Sequence, residues 1–168
     1  MTRRWLLSIA MIAAGCAHTP DASVPGWATF SAYLPFDSAS QARFDPGRLR
    51  GRVVLVTFVA TWCFPCLTDL VTLKRLEELY GKKGFSNVIV GMDLEGRRVL
   101  EPFALGYELT CPVIVGDDRL RSGETPFGRV RELPTRLLFG RDGQVVVGYT
   151  GVADYSALEK IVVEALGK

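Results

Sequence analysis

The strongest constraint on the fold of this chain is a pair of cysteines, Cys63 and Cys66, placed between two segments of different periodicity. The run Val53–Val59 before them is apolar and rich in β-branched residues, as expected of a strand buried on both faces of a sheet. After Cys66, apolar residues recur every three or four positions as far as Tyr80, which predicts an amphipathic helix. The sequence therefore predicts a dithiol at the junction between a buried strand and a helix.

The position of Cys63 near a helix N-terminus predicts a reactive thiol. Unpaired backbone N–H groups and the helix dipole favour a thiolate over a thiol there, so Cys63 is the predicted nucleophile. Pro65 suits the first helical turn, because it lacks only an N–H that would have had no helical partner. Cys66 lies three residues further on the same helix surface, so the two sulfurs are predicted to lie within disulfide reach.

Two cysteines at this spacing also occur in metal sites. A zinc site needs two more ligands, and only Cys111, His18 and carboxylates remain to supply them. Thiolates also suit Cu(I), so a copper-binding module is kept as an alternative function. A purely structural disulfide would close a very small loop and would stabilise the chain little. We therefore predict redox chemistry with no metal, and no cofactor other than the Cys63–Cys66 couple.

Strand, WCxxC motif and helix together resemble the active site of the thioredoxin superfamily. The segment VLVTFVATWCFPC, residues 54–66, is similar to the membrane-associated thiol–disulfide oxidoreductases of the TlpA and ResA type, and the likeness continues more weakly from about Gly51 to the C-terminus. The resemblance implies a thioredoxin-like α/β fold with a mixed central sheet flanked by helices. It also implies an N-terminal β-hairpin and an α/β insertion between the βαβ unit and a cis-proline loop.

The remaining sequence shows patterns that fit this order of elements. Short apolar stretches in residues 28–44 predict the hairpin, and glycines and prolines mark the turns. The predicted elements after the first helix are a buried strand at Asn87–Met92, an insertion made of a helix at Arg97–Tyr107 and a strand at Pro112–Val115, an antiparallel pair at Arg136–Phe139 and Gln144–Tyr149, and a last helix that begins after Asp154 or Ser156.

A substrate-binding surface is predicted around the nucleophile. The aromatic residues Trp62 and Phe64 could belong to the core, but beside a reactive thiol they favour an apolar docking surface, with Pro65 between them and Cys66. The segment that begins Leu133-Pro134 resembles the family's cis-proline loop, which packs opposite the two cysteines. By itself an X-Pro bond is usually trans, so only the resemblance implies the cis form and the pairing of Leu133 with an extended partner peptide.

Release of a partner requires Cys66 to lose its proton. Thioredoxins provide a buried aspartate on the strand before the motif, but Thr57 occupies the matching position here. Glu95 follows the strand Asn87–Met92 and matches in position a glutamate that some ResA-like proteins keep near their cysteines. If buried it could carry the proton; the alternative is a solvated loop carboxylate, and Asp93 is a second candidate.

The isolated Cys111 is predicted to be a small buried apolar residue, with a regulatory or third redox thiol as the alternative. A peroxiredoxin-type peroxidase is a further alternative for the whole chain. That class needs a threonine three residues before a lone peroxidatic cysteine, and Ala60 holds this place relative to Cys63.

The N-terminus reads as an export signal. Arg3 and Arg4 precede a short apolar stretch, too short for a membrane-spanning helix, so residues 1–15 are predicted to be a signal peptide. Ala13-Ala14-Gly15-Cys16 resembles a bacterial lipobox, which predicts lipidation of Cys16. The lipobox pattern prefers leucine at the position of Ala13. The alternative is cleavage of the signal peptide without lipidation. Residues 16–27 then form a tether and residues 28–168 a thioredoxin-like domain, anchored in the cell envelope and facing the periplasm or the outer side of the membrane.

Charge gives no support for a nucleic-acid partner. Removal of Arg3 and Arg4 with the signal lowers Lys+Arg from 20 to 18, which equals the 18 Asp+Glu. The resemblance instead implies thiols and disulfides of envelope proteins as partners, with a membrane thiol electron donor. It implies a reductive role, for example in cytochrome c maturation, and the oxidative direction is the alternative.

Overall fold

The computed structural model describes residues 37–40 and 44–168. The predicted signal peptide, the tether and most of the predicted hairpin at residues 28–44 lie outside these ranges. Within residues 37–40, Ser38 forms an antiparallel bridge with Ile114, and the Ala39 N–H donates to the carbonyl of Val113 at 2.8 Å. This short segment therefore lies along the sheet.

Five strands form one mixed sheet in the order β3-β2-β1-β4-β5. The parallel part contains β1, β2 and β3, and β4 and β5 add to it in antiparallel fashion. The strands are β1 Val53–Val59, β2 Phe85–Gly91, β3 Val113–Val115, β4 Thr135–Phe139 and β5 Val145–Thr150. The predicted fold class is confirmed, with strand boundaries that move by at most two residues.

Four α-helices and two 3-10 turns complete the described chain. The α-helices are α1 Phe64–Tyr80, α2 Arg97–Gly106, α3 Asp118–Ser122 and α4 Tyr155–Leu166, and the 3-10 turns are Pro46–Leu49 and Gly81–Lys83. The side chain of Asp154 accepts hydrogen bonds from Ser156 N and Ala157 N, so Asp154 caps α4. None of the helices in the described ranges has the length and hydropathy needed to cross a bilayer.

The two faces of the sheet are covered differently. Alternate residues of β1 point to opposite faces, and all seven are buried, as its unbroken apolar run predicts. The long helices α1, α2 and α4 pack their apolar residues on the face of Leu55 and Ile89. The opposite face, that of Val56 and Phe58, packs against the turn Pro46–Leu49 and against Leu120 of α3. The three long helices therefore lie together on one face of the sheet.

This topology brings the active-site elements to one edge of the sheet. β1 and β2 are parallel, so their carboxyl ends meet there, and Met92 N donates to the carbonyl of Val59 at 2.8 Å. β4 runs antiparallel to β1 with Thr135 opposite Phe58, so the start of β4 lies at the same edge. The helix that begins at Phe64 and the Leu133-Pro134 segment consequently converge on this edge.

Candidate active site

A disulfide joins Cys63 to Cys66, with the Cα atoms 5.2 Å apart. Cys63 is the N-cap residue of α1, and its Sγ accepts a hydrogen bond from the backbone N–H of Cys66 at 3.2 Å. A backbone N–H directed at this sulfur favours a Cys63 thiolate once the disulfide is reduced. The predicted position of the dithiol at a helix N-terminus is thus what the structure shows.

The two sulfur-bearing residues are buried beside a surface of exposed apolar side chains. Cys63 is 5% exposed and Cys66 1%, whereas Trp62 and Phe64 are each 73% exposed. Pro65 is also exposed. The alternative in which Trp62 and Phe64 belong to the core is wrong, because both side chains are exposed to solvent, Trp62 from the turn before Cys63 and Phe64 from the first residue of α1.

The Leu133–Pro134 peptide bond is cis, the geometry that the resemblance implies. Pro134 is buried, and its carbonyl accepts a hydrogen bond from Gly151 N at 2.8 Å. Leu133 is half-buried and packs against the apolar clusters on both faces of the sheet. The loop after β5 is thereby tied to the loop before β4 at the active-site edge.

Two exposed apolar residues extend this edge and were missing from the sequence prediction. Leu94, in the loop after β2, is 83% exposed, and Val152, in the loop after β5, is 56% exposed. Both loops leave strands whose ends lie at the active-site edge. A search for apolar residues directly after strand ends would have found them. Together with Trp62, Phe64 and Leu133 they define what we call the apolar rim.

The carboxylates after β2 are not arranged as the sequence suggested. Glu95 is exposed, so the alternative of a solvated loop carboxylate describes its place, and its role in proton transfer stays a prediction. The buried carboxylate is that of Asp93, which accepts from Thr61 N at 3.0 Å and from Thr61 Oγ1 at 2.6 Å. The Asp93 carboxylate therefore stabilises the turn between β1 and α1.

A buried ion pair beneath the disulfide was also missed. Asp69, one turn after Cys66 on α1, contacts Arg136 of β4, and the two side chains are 2% and 0% exposed. Arg136 Nη1 also donates to the carbonyl of Gly151, and its guanidinium lies 5.4 Å from the ring of Tyr149. Burial lowers the pKa of Arg136 and raises that of Tyr149. Thr57, in the place of the usual aspartate, is directly opposite Arg136 in the sheet.

The sequence does contain a signal for this pair. Asp69 lies on the apolar stripe of α1 with Cys66, Leu70 and Leu73, and strand alternation puts Arg136 on the face of the buried Leu138. A charged residue at a buried position requires a partner of opposite charge. Two such residues of opposite sign therefore indicate an ion pair, although their sequence positions are 67 residues apart.

Cys111 lies at the start of the insertion strand, where it is buried and is not part of a disulfide. Burial raises the pKa of its thiol to about 12. A thiol with this pKa stays protonated at neutral pH, and only the thiolate is a good nucleophile. Cys111 is therefore suited to the predicted role of a small buried apolar residue.

Alkylation of the reduced chain with iodoacetamide at pH 8 will modify Cys63 rapidly and Cys111 slowly. The raised pKa leaves Cys111 with little thiolate, so its rate is expected to be at least about 100-fold lower than in the unfolded chain. Peptide mass mapping over time measures both sites, and guanidinium unfolding restores the Cys111 rate. Equal rates for folded and unfolded protein would contradict the burial of this thiol.

Metal ligands do not cluster in the part of the chain that the structure describes: it contains no group of three or more His, Cys, Asp or Glu placed to hold an ion.

Comparison with known proteins places the chain in a family. The Redoxin family model matches residues 19–160. Thiol-disulfide oxidoreductase ResA of Geobacillus thermodenitrificans is 32% identical over 102 residues, which cover 61% of this chain and 56% of that protein. ResA of Geobacillus kaustophilus is 30% identical over 111 residues, which cover 66% and 62%. The chain thus matches somewhat less than two thirds of the length of these curated relatives.

A similar structure has been solved for a protein identified as a candidate thiol:disulfide interchange protein DsbE from Chlorobium tepidum. It superimposes with a TM-score of 0.67 and 28% sequence identity, and the alignment covers 80% of this chain and 92% of that one. The family match spans both cysteines, the buried strand before them and the cis-proline loop. This chain therefore belongs to the redoxin family and is a TlpA/ResA-like member of the thioredoxin superfamily.

Proposed function

We propose that this chain is a thiol–disulfide oxidoreductase in which the Cys63–Cys66 couple reduces disulfides of other proteins. The observation that carries the proposal is the disulfide at the N-terminus of α1, next to an exposed apolar rim. A buried disulfide that only stabilised the fold would not need exposed aromatic side chains on both sides of its first cysteine. Similarity to the thiol-disulfide oxidoreductase ResA and to the thiol:disulfide interchange protein DsbE supports the same chemistry.

The reaction proceeds in two exchange steps. The Cys63 thiolate attacks a partner disulfide, forms a mixed disulfide and releases one partner sulfur as a thiolate. Cys66 then loses its proton and attacks Cys63 Sγ, which breaks the mixed disulfide and releases the second partner sulfur. The chain ends as the Cys63–Cys66 disulfide, and the partner has gained two electrons as a dithiol. Reduction by an electron donor reverses these steps and restores the chain.

The apolar rim determines which partners can dock. Its side chains contribute apolar area, and backbone groups at Leu133 are available to an extended peptide next to Cys63. The partner we propose is an extended segment of an envelope protein with apolar residues beside its cysteine, such as an apocytochrome during cytochrome c maturation. A membrane thiol protein would return electrons to the couple.

The equilibrium reduction potential of the Cys63–Cys66 couple will fall near or below about −220 mV, the range of reductants that need an electron supply. Equilibration in dithiothreitol buffers, followed by alkylation and mass measurement, determines this value. A potential above roughly −150 mV would instead assign the oxidative direction. Absence of a reversible couple would remove the proposed function altogether.

We also propose that the chain is exported and held at the envelope by a lipid on Cys16. This rests on the sequence pattern of residues 1–16, which lies outside the described ranges. The domain at residues 44–168 would then act at the membrane surface, close to a membrane electron donor.

Substitution of Cys16 by serine will release the protein from the membrane fraction of expressing bacteria. A diacylated N-terminus anchors a protein stably because two chains are buried in the bilayer. Metabolic labelling with a palmitate analogue, followed by fractionation, tests this, with Cys111→Ser as the matched cysteine control. Labelling that persists in Cys16→Ser would contradict the predicted anchor.

A further inference from the structure

The side chain of Asp93 links the loop after β2 to the turn that precedes the nucleophile. Its Oδ1 accepts hydrogen bonds from Thr61 N at 3.0 Å and from Thr61 Oγ1 at 2.6 Å, and its Oδ2 lies 3.2 Å from the same N–H. Asp93 is buried, whereas the next two residues of its loop, Leu94 and Glu95, are exposed. A buried carboxylate thus accepts both polar hydrogens of Thr61.

The turn that contains Thr61 determines where the Cys63 sulfur lies. Cys63 N donates to the carbonyl of Ala60 at 3.0 Å, which closes a tight turn between β1 and α1. Cys63 then caps α1, and its Sγ accepts from Cys66 N. A shift of this turn would move the sulfur away from the N–H that favours its thiolate. The contact with Asp93 therefore bears on the reactivity of Cys63.

The loop that carries Asp93 is itself held in place by hydrogen bonds. The backbone carbonyl of Asp93 accepts from Gly96 N at 3.2 Å, and Nη1 of Arg121 on α3 lies 3.5 Å from the same oxygen. Leu94 stands within this turn and belongs to the apolar rim. The loop therefore fixes the buried carboxylate and one exposed side chain of the rim together.

We propose that Asp93 is a positioning residue for the exchange reaction. Through the hydrogen bonds that it accepts from Thr61, it holds Cys63 at the cap of α1 and fixes the loop of Trp62 relative to the loop of Leu94. The inference rests on the proposed thiol–disulfide chemistry. Its first consequence, the reactivity of the Cys63 thiol, is nevertheless measured without any partner protein.

The first test is the pH profile of Cys63 alkylation by iodoacetamide in the reduced chain between pH 5 and 10. Thr61→Val removes the hydroxyl and keeps the size of the side chain. Its inflection is expected at higher pH, with a rate at pH 6.5 about 3- to 10-fold below wild type, the effect of one hydrogen bond. At pH 10 the two rates are expected to agree, because the thiol is ionised in both proteins. Thr61→Ser keeps the hydroxyl and is expected to restore the wild-type profile.

Substitutions of Asp93 distinguish an effect of its hydrogen bonds from an effect of its charge. Asp93→Asn keeps a side-chain carbonyl that accepts from Thr61, and its rates are expected to stay within about two-fold of wild type. Asp93→Ala has no acceptor and is expected to lose at least as much as Thr61→Val. An inflection at lower pH in Asp93→Asn would show that the charge acts on Cys63, and would overturn the proposal.

A matched control separates this contact from any loss of a threonine hydroxyl. Thr68 is exposed on α1, and its hydroxyl donates to the carbonyl of Pro65 at 2.9 Å, within the same helix. Thr68→Val is therefore expected to keep the wild-type profile. Where Asp93→Ala does not fold, the Thr61 variants decide. A folded Thr61→Val chain with an unchanged profile and only a lower free energy of unfolding would overturn the proposal.

Exchange with two disulfides tests whether the contact also fixes the two loops of the rim. A disulfide peptide with apolar residues beside its cysteine contacts Trp62 and Leu94, whereas glutathione disulfide is too small to need both. Thr61→Val is expected to lower the rate constant for the peptide at least about 3-fold more than that for glutathione disulfide. Equal losses would overturn the coupling of the two loops. A chain that exchanged with neither disulfide would refute the proposed function, while the alkylation profile would still report the role of Asp93.

Discussion

Replacement of Cys63 by serine will abolish disulfide exchange, whereas replacement of Cys66 by serine will stop the reaction at a covalent intermediate. The structure makes the two cysteines unequal. Cys63 is the N-cap of α1 and its sulfur receives the Cys66 N–H, while Cys66 lies within the helix and is 1% exposed. Without the Cys63 nucleophile the rate is expected to fall by on the order of 10³-fold or more.

The Cys66→Ser variant still has the nucleophile but cannot resolve the mixed disulfide. It is expected to accumulate a covalent complex with a disulfide-containing peptide, visible as an added mass that dithiothreitol removes. The same variant, expressed in bacteria and isolated without reductant, would carry its natural partners on Cys63. Their identification by mass spectrometry tests the proposed preference for apolar residues beside the partner cysteine.

Two controls make these outcomes specific. Cys111→Ser is expected to retain the full exchange rate, because Cys111 is a buried thiol outside the disulfide. The double variant Cys63→Ser/Cys66→Ser is expected to capture nothing. Mixed disulfides that form through Cys66 in the Cys63→Ser variant would contradict the assignment of Cys63 as the nucleophile.

Local sequence patterns were sufficient for the elements that carry the site. The unbroken apolar run of β1 requires burial on both faces, and the change to helical spacing after Cys66 predicts α1, which the structure has at Phe64–Tyr80. Gly81 keeps a right-handed backbone and continues into the 3-10 turn Gly81–Lys83, which ends at the left-handed Gly84 with a φ of 99°. The cis form of the Leu133–Pro134 bond, by contrast, followed only from family resemblance, because sequence alone favours trans.

Local sequence patterns did not predict which charged side chains are buried or which partners they contact. The sequence singled out Glu95 for its position after a strand, yet the chain leaves it exposed and buries Asp93 against Thr61 instead. Which carboxylate of a loop turns inward depends on the hydrogen bonds that the neighbouring turn offers, and periodicity does not encode them. The same holds for Asp69, whose partner Arg136 comes from a strand that follows the cis-proline loop.

Removal of one charge from the Asp69–Arg136 ion pair will be among the most destabilising single substitutions in the chain. Arg136→Met leaves the Asp69 carboxylate buried without its cation, and such unpaired charges cost about 3–5 kcal/mol of the free energy of unfolding. Guanidinium denaturation of the oxidised protein measures this loss. Arg131→Met is the matched control, because Arg131 is exposed, and a change within about 0.5 kcal/mol is expected there.

The double variant Arg136→Met/Asp69→Leu distinguishes the net contribution of the ion pair to stability from the destabilisation caused by one unpaired buried charge. Replacement of both charges by apolar groups removes the unpaired charge, so the double variant is expected to regain most of the lost stability, and a coupling energy of at least about 2 kcal/mol is expected in the double-mutant cycle. Additive losses would instead show that the two side chains act independently. Recovery of stability in the double variant would show that the ion pair is dispensable for folding.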